Sequence, residues 1–542
     1  MEKRPTDSNA SKSQQENTQR VAKSAGAVAV AVFISRILGL VREQVFAALF
    51  GASTAMDAFV VAYRIPNLLR DLFAEGALSS AFVTVFSEYD QKRTPEETWR
   101  LVNNVLSVLL ILLSIITLAG IYLAPYLVKI LAPHFSAIPG KIQLTVHLTR
   151  IMFPFLLMVS ISALIMGILN TRGHFFIPSL SSSCFNFGTI FIGGSLALIF
   201  PHLGYSAITG MAIGTLIGGL FQILIQLPLL IKEGFRLNLF IDLKDPGLRK
   251  IGRLIVPAII GLSATQINIF INTNFASRCA NGSVSWLNYS FRLMQFPIGL
   301  FGVALSVATL PVLARLATKR KLKELGETLV SSLSLAFACT IPAAIGLWIL
   351  AIPIVRIIFQ RGHFNAFDTL MTAAALKFYA IGLLAYSAVK ILVPAFYALD
   401  DTKWPVIGSF VTVITNLIVV ISTLKLLQHR AIALSTSVSV LVNFFFLSII
   451  LYRKMGGYPV KELFLSFLKI SFASIVMGVV IYVFYNWLSL NRNSGLLLDI
   501  LKLGFEVLIG LVTYGVILNF LKVPALIEAL APIVDRIKVR LR

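Results

Sequence analysis

The sequence predicts an all-α polytopic membrane protein of about fourteen transmembrane helices, and three observations lead there. The 542 residues are 57% hydrophobic and only 13% charged, with a mean hydropathy of +0.85. A soluble chain is roughly 45–50% apolar and about a quarter charged, so the surplus must face lipid. Apolar stretches long enough to cross about 30 Å of hydrocarbon recur along the whole chain. The basic residues collect in alternate connections between those stretches, the bias that fixes membrane topology. Soluble enzymes and nucleic-acid-binding proteins are excluded, because topology accounts for most of the 47 Lys+Arg against 24 Asp+Glu and the net charge of +23.

In chain order, each stretch is delimited by charges or by Pro and Gly. The first, 25–50, follows a polar tail ending near Lys23 and stops at Gly51. The second, 54–87, is interrupted by Pro66 and Gly76 and ends before Glu88. Then come 101–124, between Arg100 and Pro125; 148–170, before Arg172; 178–200, between Pro178 and Pro201; and 204–231, between Gly204 and Lys232. The seventh, 252–277, ends at Arg278; the eighth, 284–314, contains Pro297 and ends at Arg315. They are followed by 326–350, by 368–398 ahead of Asp400, by 404–424 ahead of Lys425 and by 430–451 ahead of Arg453. The last two are 463–488, after Glu462, and 498–520, before Lys522.

An even number of spans puts both termini on one side. That side carries Lys3, Arg4, Lys12, Arg20 and Lys23; Lys92, Arg93 and Arg100; Lys232, Arg236, Lys244, Arg249, Lys250 and Arg253. It continues with Arg315, Lys319, Arg320, Lys321 and Lys323, then Arg453, Lys454 and Lys461, then Arg536, Lys538, Arg540 and Arg542. The opposite side offers mainly Lys141, Arg278, Arg356, Arg361, Arg430 and Arg492. Both termini are therefore expected in the cytoplasm. The polar N-terminal tail lacks an early cleavage signature, so 25–50 reads as an uncleaved first span behind an unstructured tail.

Spans two and eight carry related punctuation. Arg64-Ile-Pro66 precedes Gly76-Ala-Leu-Ser79, and Gln295-Phe-Pro297 precedes Gly302-Val-Ala-Leu-Ser306. The spacing defines a six-span repeat, which divides the chain into a cytoplasmic polar tail at 1–24, a first lobe at 25–231 and a second at 232–452. Residues 453–542 add spans 13 and 14 and a basic C-terminus. Duplicated halves with Pro/Gly-interrupted spans at corresponding positions are a transporter architecture, which makes Pro66, Gly76 and Pro297 candidate gating positions.

Ionisable groups inside spans cost on the order of 2.5–3.5 kcal/mol each, so a cluster of them is a functional candidate. Span one holds Arg36, Arg42 and Glu43; span two holds Asp57, Arg64, Arg70, Asp71 and Glu75; span eight holds Arg292. Seven residues return to nearly the same helical face, which groups Arg36 with Glu43 and puts Asp57, Arg64 and Asp71 on one stripe. Arg36 and Arg42, roughly 9 Å apart along the axis, suit a large anionic group. The alternative is that these arginines snorkel or are neutralised in fixed ion pairs, most easily for Arg70, Asp71 and Glu75 near the cytoplasmic end. Arg292 has no carboxylate within a helical turn, and its planar fork matches phosphate oxygens.

Lys377 and Lys390 in span ten are candidate substrate contacts, although Lys390 near the span's cytoplasmic end suits snorkelling better, and Asn268, Asn272 and Asn274 suit interhelical hydrogen bonds more than cation coordination. Cys184, Cys279 and Cys339 lack disulfide or metal spacing, the six histidines lack ligand spacing, and no nucleophile–base pair emerges. A transporter, with no metal and no catalytic residue, is the expectation.

Ser35-Arg36-Ile-Leu-Gly39-Leu-Val-Arg42-Glu43, Phe50-Gly-Ala, Asp57-Ala-Phe, Ile65-Pro-Asn-Leu-Leu-Arg70 and Phe73-Ala-Glu-Gly-Ala77 resemble the MurJ (MviN) family of bacterial lipid II flippases. So do Gly282-Ser-Val-Ser-Trp286, Arg292-Leu-Met, Phe296-Pro297 and Lys390-Ile-Leu-Val-Pro394-Ala-Phe-Tyr397. The family belongs to the multidrug/oligosaccharidyl-lipid/polysaccharide (MOP) exporter superfamily. The resemblance implies two six-helix lobes around a central cationic cavity, with a C-terminal helix pair forming a groove for the lipid tail. It implies that lipid II, an undecaprenyl-pyrophosphate disaccharide-pentapeptide, moves from the cytoplasmic to the periplasmic leaflet of the inner membrane by alternating access, for peptidoglycan synthesis.

Carried over by motif, the substrate-binding arginines are Arg36, Arg42, Arg70 and Arg292, with Asp57 a further polar position. Glu43 and Arg64 join them from the reading of buried charge. Glu43 stands where the family often has Asp, and Phe291 and Gln295 stand where some members carry carboxylates, which leaves the charge partner of Arg292 open. The expected partners are lipid II, membrane lipids and cell-wall synthesis enzymes, with no nucleic acid and a functional monomer. No cofactor is expected; coupling to membrane potential or to a monovalent cation is compatible with the cavity charge. The alternatives are a flippase for another polyprenyl-pyrophosphate-linked polysaccharide, a cation-coupled drug or metabolite antiporter, and a non-transporting scaffold.

Overall fold

The computed structural model describes residues 7–489 and 495–522, and divides into two compact units: residues 1–46 with 54–266, and residues 47–53 with 267–542. Arg492 and the basic C-terminus from 523 onward lie outside the described residues. So do the first six residues.

The first unit begins with α1 (Asp7–Phe50), whose last turn is assigned to the second unit, and α2 (Thr54–Arg70). A π-helical stretch, Asp71–Leu78, leads into α3 (Ser79–Lys92). Then follow α4 (Pro95–Leu131), α5 (Lys141–Met152), α6 (Phe155–Thr171), α7 (Phe176–Phe187), the π-helical stretch Gly188–Gly193, α8 (Gly194–Ile199) and α9 (Ala207–Lys232). The helix α10 (Pro246–Ser277) passes from the first unit into the second. Residues 7–24, expected to be an unstructured tail, continue α1 as helix. Ala, Gln and Lys recur there, with Glu16 and Arg20, and no Gly or Pro intervenes until Gly26, which leaves the helix uninterrupted.

The second unit continues with α11 (Ser283–Pro297), a π-helical stretch at Ile298–Gly302, α12 (Val303–Thr318) and α13 (Leu322–Ile349). The remaining helices are α14 (Ala351–Phe359), α15 (Ala366–Ile381), α16 (Leu383–Ala398), α17 (Lys403–Leu427), α18 (His429–Met455), α19 (Val460–Ser489) and α20 (Leu496–Leu521). The fourteen stretches predicted from sequence each fall on one of these helices or on a broken run of them. Among the described residues, ten helical segments are long and apolar enough to cross a membrane, or eleven with α15 and α16, which bend by 44°. The run from 54 to 92 is not among them, in keeping with the charges it carries. The short α14 was absent from the prediction, since nine residues, Arg356 among them, are too few to read as a span.

Helix starts follow local chemistry. Thr94 caps α4 by accepting from the Glu97 amide while the Glu97 carboxylate accepts from the Thr94 amide, and Pro95 occupies the first helical position. Asn365 and Asp368 form the same reciprocal cap on α15. Two of the three π-helical stretches lie downstream of a proline in spans two and eight, at Pro66 and Pro297. A missing proline N–H removes one hydrogen bond and lets the ladder slip. Both stretches lie against other helices at their glycines. A Cβ on Gly76 would sit 2.2 Å from Leu262, and one on Gly302 would sit 2.9 Å from Ser387. The repeat seen in the sequence thus recurs as a shared irregularity in the backbone.

Each unit has its own core. In the first, Phe82 and Phe86 of α3 pack with Leu101, Leu109 and Leu113 of α4 and Leu156, Leu164 and Leu169 of α6. In the second, Leu325, Leu329 and Leu333 of α13 pack with Ile391 and Phe396 of α16 and Leu447 of α18. Met477 and Ile481 of α19 and Tyr514 of α20 form a further cluster, and the Tyr514 hydroxyl donates to the Ala338 carbonyl at 2.6 Å. The α19–α20 pair therefore belongs to the second unit. Its first boundary also differs from the expected 232: residues 236–242 are hydrogen-bonded to α4 and stay with the first unit.

In the first unit α9 meets α7, α8 and the π-helical stretch between them through glycine. Gly210, Gly214 and Gly218 share one face of α9. A Cβ on Gly214 would lie 2.3 Å from the Gly193 Cα, and one on Gly218 would lie 2.6 Å from the Phe185 carbonyl oxygen. Because the obstruction is backbone, no rotamer change relieves it; close approach through small residues is how helices associate in lipid. Gly214→Ala is expected to destabilise the protein by about 3 kcal/mol, at the upper end of overpacking costs. Thermal unfolding of the purified variant in detergent checks it, and an unchanged midpoint would contradict the packing described.

Candidate functional site

The charges predicted from sequence fall into two groups, one in each unit. In the first unit, α1 carries Arg36, Arg42 and Glu43. Arg36 is exposed, and among the described residues it has no ion pair. Arg42 Nη2 donates to Glu43 Oε1 at 2.8 Å, with side chains 12% and 6% exposed, and its guanidinium lies 5.4 Å from the centroid of the Phe185 ring. Glu43 is thus turned to its sequence neighbour and not to Arg36 on its own face. The Arg42 Nε is buried without a hydrogen-bond partner, a donor available to an incoming anion.

On α2, Arg64 is half-buried and the Arg70 fork donates twice to Asp71 Oδ1, at 3.1 Å from Nε and 2.8 Å from Nη2. Asp71 Oδ2 also accepts from Gln266 at 3.5 Å. The side chain of Glu75 lies outside the described residues. Pro66 is buried inside α2. Fixed pairing near this end of the span, weighed from sequence for Arg70 and Asp71, is what the structure shows for these two.

Asp57 is different. It is 1% exposed, and its Oδ2 accepts from Lys141 Nζ at 2.8 Å; Lys141 is 2% exposed and sits 4.0 Å over the Phe135 ring. The pair locks α2 to α5. Sequence reasoning put Asp57 on a stripe with Arg64 and Asp71 and put Lys141 in a loop, because α5 begins seven residues before the predicted span. The signal available was Gly140, whose positive φ of 77° is the turn from which α5 starts.

In the second unit Arg292 is exposed on α11, and Pro297 is the last residue of that helix. The α11 N-terminus is anchored by Trp286, whose Nε1 donates to Asp368 at 2.9 Å, and by the Tyr289 hydroxyl, which donates to the Gly51 carbonyl at 3.2 Å. Asn416 of α17 donates to Asn268 at 2.8 Å and Asn272 at 2.9 Å, and Asn272 donates to Thr436 at 3.1 Å. These amides join α10, α17 and α18, the interhelical role expected for two of the three asparagines. Asn274 instead accepts from Arg278 at 3.1 Å.

An ion-pair latch ties the loop after the fourth span to the end of the sixth in each unit, with the signs exchanged. In the first unit Arg172 donates to Asp90 at 2.8 Å and Glu233 at 3.3 Å, and His174 bonds Glu233 at 2.7 Å. In the second, Lys454 bonds Asp401. His174 holds the Glu233 carboxyl below the usual carboxylate range; burial pushes the other way, and Arg172 adds to the lowering. A depressed carboxyl contributes stability that is present above its ordinary value and lost as pH falls through the lowered one. Acidification from pH 6 to 3 is therefore expected to weaken this latch. Thermal unfolding across that range checks it, with Glu233→Gln flattening the acid limb; an identical limb in the variant would count against the latch.

Comparison with known proteins follows the same lines. The family model described as Lipid II flippase MurJ matches residues 46–500. The chain is 35% identical over 494 residues to a protein of Buchnera aphidicola subsp. Acyrthosiphon pisum (strain APS) named "Probable lipid II flippase MurJ", covering 91% of this chain and 96% of that one. A solved structure titled "Lipid II flippase MurJ, inward closed conformation" superposes with a TM-score of 0.76 at 28% identity, covering 91% of this chain and 99% of that chain. An inward-facing multidrug MATE transporter of the MOP superfamily shares the fold alone, with a TM-score of 0.62 at 15% identity over 78% of this chain and 95% of that chain.

Proposed function

Since the chain belongs to the lipid II flippase MurJ family, we propose that it moves lipid II from the cytoplasmic to the periplasmic leaflet by alternating access, supplying peptidoglycan synthesis. It is a multi-pass protein of the bacterial inner membrane and a transporter, not an enzyme. Both termini lie in the cytoplasm in this reading, because the alternate connections rich in Lys and Arg are on their side.

The observation that carries the reading at residue level is the surplus of guanidinium over carboxylate. Asp57 is consumed by Lys141, and Glu43 and Asp71 neutralise one arginine each, which leaves Arg36 exposed and the Arg42 Nε with an unused donor. Pyrophosphate carries about two negative charges, and the planar arginine fork binds its oxygens in pairs. The proposed binding set is Arg36, Arg42, Arg64 and Arg70 in the first unit and Arg292 in the second. Glu43 orients Arg42, and Asp57 acts through Lys141 by holding α2 in place. Pro66 and Pro297 precede the π-helical stretches that absorb bending between states, and Gly76 lies within the first of them.

Movement of positive side chains across the field couples transport to membrane potential at about 2.3 kcal/mol per charge per 100 mV, and no cofactor is required. The protein works as a monomer, with lipid II and the surrounding membrane lipids as its ligands and cell-wall synthesis enzymes consuming the product. The test is depletion in the native bacterium with lipid-linked precursors labelled. Lipid II should accumulate; accumulation of a different polyprenyl-linked glycan in its place would shift the substrate assignment while leaving the fold.

A further inference from the structure

Residues 236–242 form an extended segment held by side chains of α4. Asn103 donates to the Arg236 carbonyl at 3.0 Å and accepts from the Asn238 amide at 2.9 Å. Ser107 accepts from the Phe240 amide at 3.2 Å, and Asn104 both accepts from the Asp242 amide at 2.8 Å and donates to its carbonyl at 2.9 Å. Five backbone groups are thus satisfied by three polar side chains, all buried in α4. Such internal satisfaction is demanded where water is scarce. All the anchor points fall within residues 103–107, little more than one helical turn, so the segment crosses α4 instead of running along it. With α4 spanning the membrane, it lies close to the membrane plane.

Side chains alternate along an extended chain. The odd positions are Leu237, Leu239 and Ile241, and Leu243 follows in the next turn, each 53–65% exposed. The even positions face a cleft of about 470 Å³ shared with the start of α4, where Arg236, Asn238 and Phe240 meet Trp99 and Arg100. The Arg100 guanidinium lies 5.6 Å from the Phe240 ring centroid and 3.9 Å from Asp242, and is 67% exposed. Glu96 also lines the cleft. The cleft lining thus carries Arg100 and Arg236 against Glu96, which Glu97 follows in sequence, while Lys232, Lys244, Arg249 and Lys250 are exposed near the segment among Glu233, Asp242 and Asp245, with Lys250 paired to Glu88.

We propose that this segment and its cleft bind an anionic phospholipid of the adjoining leaflet, separately from the transported lipid. The four aliphatic side chains enter the acyl region. Arg100 and Arg236 take the phosphate and the acidic headgroup, with Trp99 and Phe240 as the amphipathic wall between. Charge complementarity selects the occupant: two exposed guanidinium groups beside an aliphatic comb suit an acidic phospholipid better than a zwitterionic one.

The test is lipid retention by the full-length protein in detergent, measured by native mass spectrometry with phosphatidylglycerol or phosphatidylcholine. Wild type should retain phosphatidylglycerol preferentially. Arg100→Gln/Arg236→Gln should weaken that binding roughly 25-fold, about fivefold for each basic group, and leave phosphatidylcholine unchanged. Arg100→Lys/Arg236→Lys should keep most of the preference, which separates loss of charge from misfolding. Leu239→Ser/Ile241→Ser should weaken both lipids. Equal retention of the two lipids by wild type, or an undiminished preference in the Gln variant, would overturn the proposal. Displacement of phosphatidylglycerol by millimolar inorganic phosphate would also overturn it, by making the cleft a free-phosphate site.

Discussion

Arg36→Ala is expected to abolish lipid II transport while the protein still inserts and folds. Arg36 is exposed on α1 and has no ion pair among the described residues, so removing it breaks no described salt bridge and exposes no buried carboxylate. Its cost falls on the anion. A bidentate guanidinium–phosphate contact in a low-dielectric setting is among the stronger polar interactions available to a protein. Arg36→Lys keeps the charge but loses the fork, so partial rescue is expected. Arg292→Ala is also expected to abolish transport, through loss of its phosphate-matching fork in the second unit. Complementation of a depletion strain, with membrane levels of each variant measured in parallel, reads the effect. Full growth on Arg36→Ala and on Arg292→Ala would remove both from the binding set.

Lys141→Met is expected to cost about 3–5 kcal/mol of stability, because it strands the Asp57 carboxylate at 1% exposure without its cation. The desolvation of both ions is already offset by their mutual attraction, so deleting one partner is far worse than deleting both. Replacing the pair with apolar residues, as in Lys141→Met/Asp57→Leu, should recover most of the loss. Unfolding of the purified variants separates a structural pair from a binding residue. If the double variant is stable and still supports growth, Asp57 contributes only through α2–α5 packing. A double variant that is stable but inactive would assign Asp57 a direct part in transport.

What the sequence made legible was the part of the structure dictated by solvent. Each apolar stretch fell on helix because lipid satisfies no backbone hydrogen bonds. The Pro66/Gly76 and Pro297/Gly302 punctuation marked two places where the ladder slips into π-helix. Helix ends were less legible: α4 runs through Pro125 to Leu131 and α5 starts at Lys141, so the interval read as a loop holds the cation that neutralises Asp57. The reciprocal caps at Thr94 and Asn365 were readable by residue type and spacing. Partner choice was not, since the Lys141–Asp57 pair joins residues 84 positions apart. The same limit hid the 236–242 segment, whose hydrogen bonds come from Asn103, Asn104 and Ser107, residues that look like ordinary polar breaks in an apolar span.

Lipid II transport and pyrophosphate binding by the arginines can be read together in one experiment. The most direct measurement reconstitutes the purified protein in liposomes with labelled lipid II in one leaflet, then follows headgroup exposure in the other with an impermeant reagent. Protein-dependent appearance of the headgroup that disappears with Arg36→Ala is expected. Exposure at the same rate in liposomes containing wild type, Arg36→Ala or no protein would contradict it.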